Sequence, residues 1–238
     1  MDAGGALRIR HAPPLILRFE AYEGGWAGGM SWQDWVDHAL ERYLVSVRPE
    51  IRHLLSRFRI RDVAFKAVGV GSVGTRCAIG LLVGDHPDDV LVLQSKQAQS
   101  SVLAPYVEAS VPEHQGERVV QGQRLTQTAT DQFLGWTTSP AGGQFYWRHF
   151  RDWKSSVDIA CLDGDGLRAY GNLCASTLAK AHCRSGNGLA ISKLLGDGKA
   201  YGREILLRAL EHAEFTERDH LQLQQALNEG KLEGSELI

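Results

Sequence analysis

The residues best placed to do chemistry lie in Val68-Gly-Val-Gly-Ser-Val-Gly-Thr75, where Gly69, Gly71 and Gly74 form a G-x-G-x-x-G pattern. Glycines at this density let the backbone come close to a ligand and aim N–H groups at it, and a phosphate is the usual ligand. The candidate contacts are Gly69, Gly71, Ser72, Gly74 and Thr75, with Lys96 downstream as the counter-charge. The pattern alone is weak evidence, so the flanking elements decide its meaning.

Two nucleotide-binding architectures use such glycines. In a dinucleotide-binding βαβ unit the third glycine opens a long helix. In a protein kinase the glycines cap a β-hairpin and the lysine sits on the next strand. Here Asp62–Val68 alternates Val63, Phe65 and Ala67 with Ala64, Lys66 and Val68, as a strand does. The stretch after Gly74 is too short for a crossover helix, contains Gly80, and runs into the turn signal Gly84-Asp-His-Pro-Asp-Asp89. Val90-Leu-Val-Leu-Gln-Ser-Lys96 then reads as another strand. The preferred reading is a kinase-like glycine hairpin followed by a lysine-bearing strand. The alternatives are a glycine-rich hairpin that holds no ligand, with Lys96 a strand-end lysine extending to solvent, and the dinucleotide unit, whose ribose-binding acidic residue is not evident.

The elements that must position these residues belong to an α+β chain of 238 residues, enough for one large domain or two small lobes. Hydrophobic residues make up 43% and charged residues 23%, an ordinary globular balance. A net charge of −2 gives no electrostatic case for nucleic-acid or anionic-membrane binding. No apolar run reaches the roughly 18 residues of a membrane span, and no secretory signal is visible, so the expected location is cytoplasmic. Cys77, Cys161, Cys174 and Cys183 lack C-x-x-C spacing and read as reduced, mostly buried thiols. A metal site at Cys174, His182 and Cys183 is disfavoured because a helix separates Cys174 from Cys183, so no metal ligand is assigned.

Three segments are expected: an irregular N-terminal stretch and helical pair over 1–61, a glycine-loop sheet with a polar helix over 62–154, and a helical part over 155–238. Leu15–Phe19 suits a short strand. Ser31 is a helix N-cap with Asp34 three residues on, and Trp35, Val36, Ala39, Tyr43 and Val47 share one face of the helix that follows, which is expected to stand apart from the sheet. Pro49 opens a second helix surrounded by Arg52, Arg57, Arg59 and Arg61, read as a solvated face in preference to a phosphate or partner site. His114–Phe133 has helical character and many polar groups, Glu117 and Gln121 among them. Gly142-Gly143 precedes an aromatic strand to Phe150, followed by Arg151-Asp-Trp-Lys154. Leu162-Asp-Gly-Asp-Gly166 is a turn or cap rather than a calcium loop, since the downstream ligands are absent. Helices are expected over Leu167–Arg184, Ala200–Glu214 and Glu217–Glu229, with a break at Gly196–Gly198.

Taken in order, Val68–Arg76, Leu93-Gln-Ser-Lys96, His114–Val120, Gly122-Gln-Arg-Leu125, Phe133-Leu-Gly-Trp136, Arg151-Asp-Trp-Lys154 and Leu178-Ala-Lys-Ala-His182 resemble the DUF2252 family, a bacterial family of uncharacterised function. The resemblance runs from about Pro13 to about Asp219 and corresponds to the C-terminal portion of longer members. It implies a fold related to protein kinases and aminoglycoside phosphotransferases, ATP with Mg as the cofactor, and a permuted order. Longer members carry upstream a Gly-Asp-x-His-x-x-Asn-type loop and an acidic segment that look catalytic and metal-binding. This chain matches neither, so it is expected to be a truncated or incomplete version. It also carries Gln97 and Gln121 where the family usually has glutamate, which would leave Gln121, or Glu117 one turn earlier, to position Lys96. Asp152 and Lys154 would lie near the cleft.

Two functions follow. The chain is either a nucleotide-binding, phosphotransferase-like module, active where the missing loops are supplied elsewhere, or a non-catalytic pseudoenzyme or fragment acting through interaction. A partner surface on the polar helix and the arginine cluster is a third, weaker reading.

Overall fold

A computed structural model describes residues 7–22, 29–69, 74–86, 88–107, 112–150 and 156–232. Among them six strands form one antiparallel sheet: β1 (Ile16–Arg18), β2 (Arg59–Lys66), β3 (Cys77–Val83), β4 (Val90–Gln97), β5 (Gly135–Thr138) and β6 (Gln144–His149), in the order β1-β2-β3-β4-β6-β5. The helices are α1 (Trp32–Ser46), α2 (Pro49–Leu55), α3 (Gln115–Thr126), α4 (Gly164–Ser185), α5 (Gly188–Leu195) and α6 (Lys199–Asn228). The chain divides into two compact units, residues 1–181 and 182–238. The class is mixed α/β with an antiparallel sheet.

Cross-strand partners share a face of a sheet. Ala78↔Ser95↔Trp147 and Gly80↔Leu93↔His149 define one face; Cys77↔Lys96↔Tyr146 and Ile79↔Gln94↔Arg148 define the other. The first face is the core face. Leu82, Leu91, Leu93 and Trp147 pack with Ala39, Tyr43 and Val47 at α1 and Ile51 and Leu55 of α2. Tyr43 stacks on Trp147 with ring centroids 4.9 Å apart, and its hydroxyl donates to the Phe133 carbonyl at 2.7 Å.

The expectation that the 31–47 helix stands apart from the sheet is therefore overturned. Ser31 caps α1 as anticipated, accepting the Asp34 N–H. The apolar face then lies on the sheet, and its end is bonded to β5: Ser46 Oγ accepts the Trp136 N–H at 2.7 Å, and Thr137 Oγ1 donates to the Ala39 carbonyl at 3.3 Å. Gly135 makes this approach feasible, because a Cβ there would sit 2.7–2.8 Å from Ser46, Tyr43 and Val47. Strand β5 was not among the expected strands, although Trp136, Thr137 and Thr138 are strand-favouring types; it is a four-residue edge strand carrying that glycine.

Other boundaries also differ. The polar helix ends at Thr126 rather than Phe133, and Asp131 shapes the chain beyond it by accepting the Phe133 and His149 N–H groups at 2.9 Å each. The two closing helices are one continuous helix, α6, because 214–217 contains no glycine or proline and Thr216 bonds back to the His212 carbonyl. Helix α5, capped by Asn187, occupies a stretch with no helix expected. Only Cys77 is buried; Cys161, Cys174 and Cys183 are exposed, all four being free. No residue of α4, α5 or α6 is buried. Within the arginine cluster, Arg52 does more than meet solvent: it donates to the Leu44 and Val45 carbonyls at 2.6 and 2.9 Å, satisfying the end of α1.

Helix α3 seats against β6 through Gly116, whose position leaves no room for a Cβ against the Phe145 carbonyl. Gly122, on the same helix, has nothing within 4 Å. Gly116→Ala should destabilise the protein by about 2 kcal/mol or more through backbone displacement. Gly122→Ala should stabilise it by about 0.5–1 kcal/mol by removing backbone entropy from a helix interior. Denaturant midpoints of the two variants measure the contrast, and equal effects would contradict this packing.

Candidate functional site

The glycine hairpin joins β2 to β3, as the sequence requires. Gly69 and Gly74 flank it, and Gly74 adopts φ +79°, a conformation that suits glycine. Gly71 and Ser72 lie outside the described residues, as do Asp152 and Lys154. Thr75 is partly buried at the start of the returning chain.

Lys96 lies on β4, two strands beyond the start of the hairpin, in register with Cys77 on β3 and Tyr146 on β6. Strand alternation therefore puts it on the face opposite α1. Four further groups share that face nearby. Lys66, at the end of β2, and Lys96 both act on the Cys77 thiol: burial pushes that thiol up, and the two ammonium groups oppose the rise. Arg148 pairs with Gln94, diagonal to Lys96, and its Nε is buried with no hydrogen-bond partner. Burial likewise raises the Tyr146 hydroxyl, and the Arg148 charge pulls it back. Among the described residues none of Lys66, Lys96 and Arg148 is in an ion pair. The sheet therefore presents three cations without carboxylate partners on one face beside a glycine hairpin. A buried cationic nitrogen with no acceptor is costly unless an anion meets it, so the group fits a phosphate-like ligand.

The supporting residues behave differently from expectation. Gln97 does not face the lysine's role; its Oε1 accepts the Arg76 N–H at 3.1 Å while its own N–H donates to the Arg76 carbonyl at 2.8 Å, fixing the strand that leaves the glycine loop. Glu117 and Gln121 pair with each other, Gln121 Nε2 donating to Glu117 Oε1 at 2.8 Å, and neither is bonded to Lys96. Among the described residues no group of three His, Cys, Asp or Glu could hold a metal, so magnesium is assigned to no side chain. The buried Asp62, 1% exposed, is fully engaged by the Ile9 and Val63 N–H groups and by Arg18, and it anchors the N-terminal segment.

Sequence reasoning missed Lys66, Cys77, Tyr146 and Arg148 as members of this face. The signal was present in the period-two alternation of Gln144-Phe-Tyr-Trp-Arg-His149, which puts Tyr146 and Arg148 opposite Phe145 and Trp147.

The polar helix is fastened where it enters. His114 is its N-cap: Nδ1 accepts the Glu117 N–H at 3.2 Å, which leaves Nε2 to carry the proton and donate to Thr138 Oγ1 at 3.1 Å. The Gln115 N–H donates to Gln144 Oε1 at 2.7 Å, and Arg118 reaches the Gln99 carbonyl at 3.0 Å.

A family model described as "Uncharacterized protein conserved in bacteria (DUF2252)" matches residues 1–226. No curated protein and no solved structure matches the chain. Among the described residues no helix is long and apolar enough to cross a membrane.

Burial holds the folded His114 below its ordinary value of 6.5. The unfolded chain thus binds more protons in this window, and stability falls as pH drops from about 6.5 through the lowered folded value. His114→Asn keeps a capping acceptor and removes the titration, so its stability should vary less with pH across that window. Thermal midpoints of both proteins between pH 7.5 and 5 test this.

Proposed function

The chain belongs to the DUF2252 family, and we propose that it is a nucleotide-binding, kinase-like module that holds the phosphates of ATP between the Gly69–Thr75 loop and Lys96. The observation carrying this reading is the cationic face of Lys66, Lys96 and Arg148 beside the glycine hairpin, none of them in an ion pair among the described residues. Its support extends to the order of parts: glycine hairpin, lysine strand, helix α3, then two further strands of the same sheet. That is the order in which protein kinases place the loop that covers the phosphates, the lysine that pairs with them and the helix that follows.

In this reading the backbone N–H groups of the loop cover the phosphates. Lys96 pairs with phosphate oxygens as a point charge, and Lys66 and Arg148 make the potential around it more positive, which favours the anion. Gln97 holds the loop's exit strand in register. Magnesium, arriving with the nucleotide, would neutralise phosphate charge. Transfer also requires a metal-holding carboxylate and a group that orients the acceptor. Among the described residues no group of three His, Cys, Asp or Glu could hold a metal, so in this reading those groups come from another segment or polypeptide. Where they are not supplied, the module binds nucleotide and acts through interaction, as a pseudoenzyme does.

Mg-ATP at about 100 times its dissociation constant should add about 2.7 kcal/mol of stability, a rise of roughly 5–11 °C in thermal midpoint. Lys96→Ala should remove most of that rise while leaving the ligand-free midpoint nearly unchanged. An unshifted wild-type midpoint would sink the nucleotide reading. Stabilisation without hydrolysis or transfer would select the non-catalytic form of it.

A further inference from the structure

We propose that the cavity between α1 and the core face of the sheet is a binding site for a small aromatic carboxylic acid, separate from the phosphate site. The cavity has a volume of about 290 Å³, at the small end of ligand sites. Its walls include Phe19, Tyr22, Trp35, Phe65, Phe145 and Trp147. Such rings favour a flat aromatic guest through offset and edge contacts.

Two polar features set the guest's other end. Trp147 is only 8% exposed, and its indole Nε1 is buried without a hydrogen-bond partner. A buried N–H left unpaired carries a desolvation cost that a bound acceptor would remove. Arg76 also lines the cavity, has an exposed side chain, and forms no ion pair among the described residues. Ser95, buried on the same face as Trp147, adds a hydroxyl with no hydrogen-bond partner among the described residues.

An aromatic box by itself also suits a quaternary ammonium ion. Among the described residues no carboxylate lines this cavity, and the free polar groups are a donor and a cation, so the complementary guest is an anion. Register separates the site from the phosphate site: Ser95 and Trp147 lie on the α1 face, while Lys96 and Tyr146 lie on the other.

The test titrates the full chain by calorimetry with 2-naphthoate, 2-naphthalenemethanol and 2-naphthylmethylammonium. Naphthoate should bind one to one, the alcohol about tenfold more weakly, and the ammonium not at all. Trp147→Phe keeps the ring stacked on Tyr43 and deletes the N–H, and should weaken naphthoate about tenfold, the worth of one hydrogen bond. Arg76→Ala, at an exposed position, should weaken it several-fold and cannot fail through misfolding of the core. Ser95→Leu, if folded by circular dichroism, should block binding by filling the cavity. Lys96→Ala and saturating Mg-ATP should leave naphthoate binding unchanged, which keeps this result independent of the nucleotide reading. The proposal is overturned by no naphthoate binding at millimolar concentration, by equal binding of the ammonium, by indifference to both Trp147→Phe and Arg76→Ala, or by displacement with ATP.

Discussion

The register of β4 between β3 and β6 is the constraint on which both faces of the sheet depend. Leu91 and Leu93 point to the α1 core, while Gln94 and Lys96 point away from it. Because a strand's side chains alternate, a slip of one residue would exchange Leu93 for Gln94 and drive Lys96 among Tyr43, Leu82 and Trp147. A lone ammonium in that core would be far costlier than the loss of any single apolar contact. The core thus selects the register, and the register delivers Lys96 to its face. Gln97 pins the end of the strand by clasping Arg76 through both backbone and side chain.

The two faces are served by two helices fixed in different ways. Helix α1 is held by burial, with Tyr43 and Val36 almost inaccessible, and by bonds from Tyr43 and Ser46 to the chain around β5. Helix α3 has a more polar sequence and buries little beyond Gly116 and Val120. It is held by directed bonds: His114 to Thr138, Gln115 to Gln144, Arg118 to Gln99 and Arg124 to the Leu134 carbonyl. Hydrogen bonds to polar side chains fix orientation where apolar area is scarce, which accounts for the polarity that marked this helix in the sequence.

Much of the sheet was legible before any coordinates. The glycine pattern, the short return after Gly74 and the apolar run ending at Lys96 gave β2, β3 and β4, because strand alternation and turn residues are local signals. What was not legible is what depends on contacts distant in sequence. The docking of α1 depends on Gly135, a residue that lowers strand propensity and so hid β5. The cationic face draws Lys66, Lys96 and Arg148 from three strands, and only pairing registers bring them together. The break expected between Glu214 and Glu217 is absent because nothing at Phe215-Thr216 interrupts the backbone bonds of α6. The exposed cysteines were misjudged because the usual burial of thiols is a tendency of the residue type, and Cys161, Cys174 and Cys183 lie in a turn and a helix that bury no residue.

The glycines of this chain fall into two kinds that look alike in sequence. Gly69 and Gly74, on either side of the loop, have space around the backbone, since among the described residues a Cβ at either meets nothing within 4 Å. Gly116 and Gly135 are the reverse: each marks a place where two elements touch with no space to spare. Gly69 has open space and no positive φ, so relatives that keep the fold would be free to lose it, whereas φ +79° holds Gly74 to glycine and close contact holds Gly116 and Gly135. Substitution along a lineage is therefore expected first at Gly69, and last where backbone conformation or contact leaves no room for a side chain.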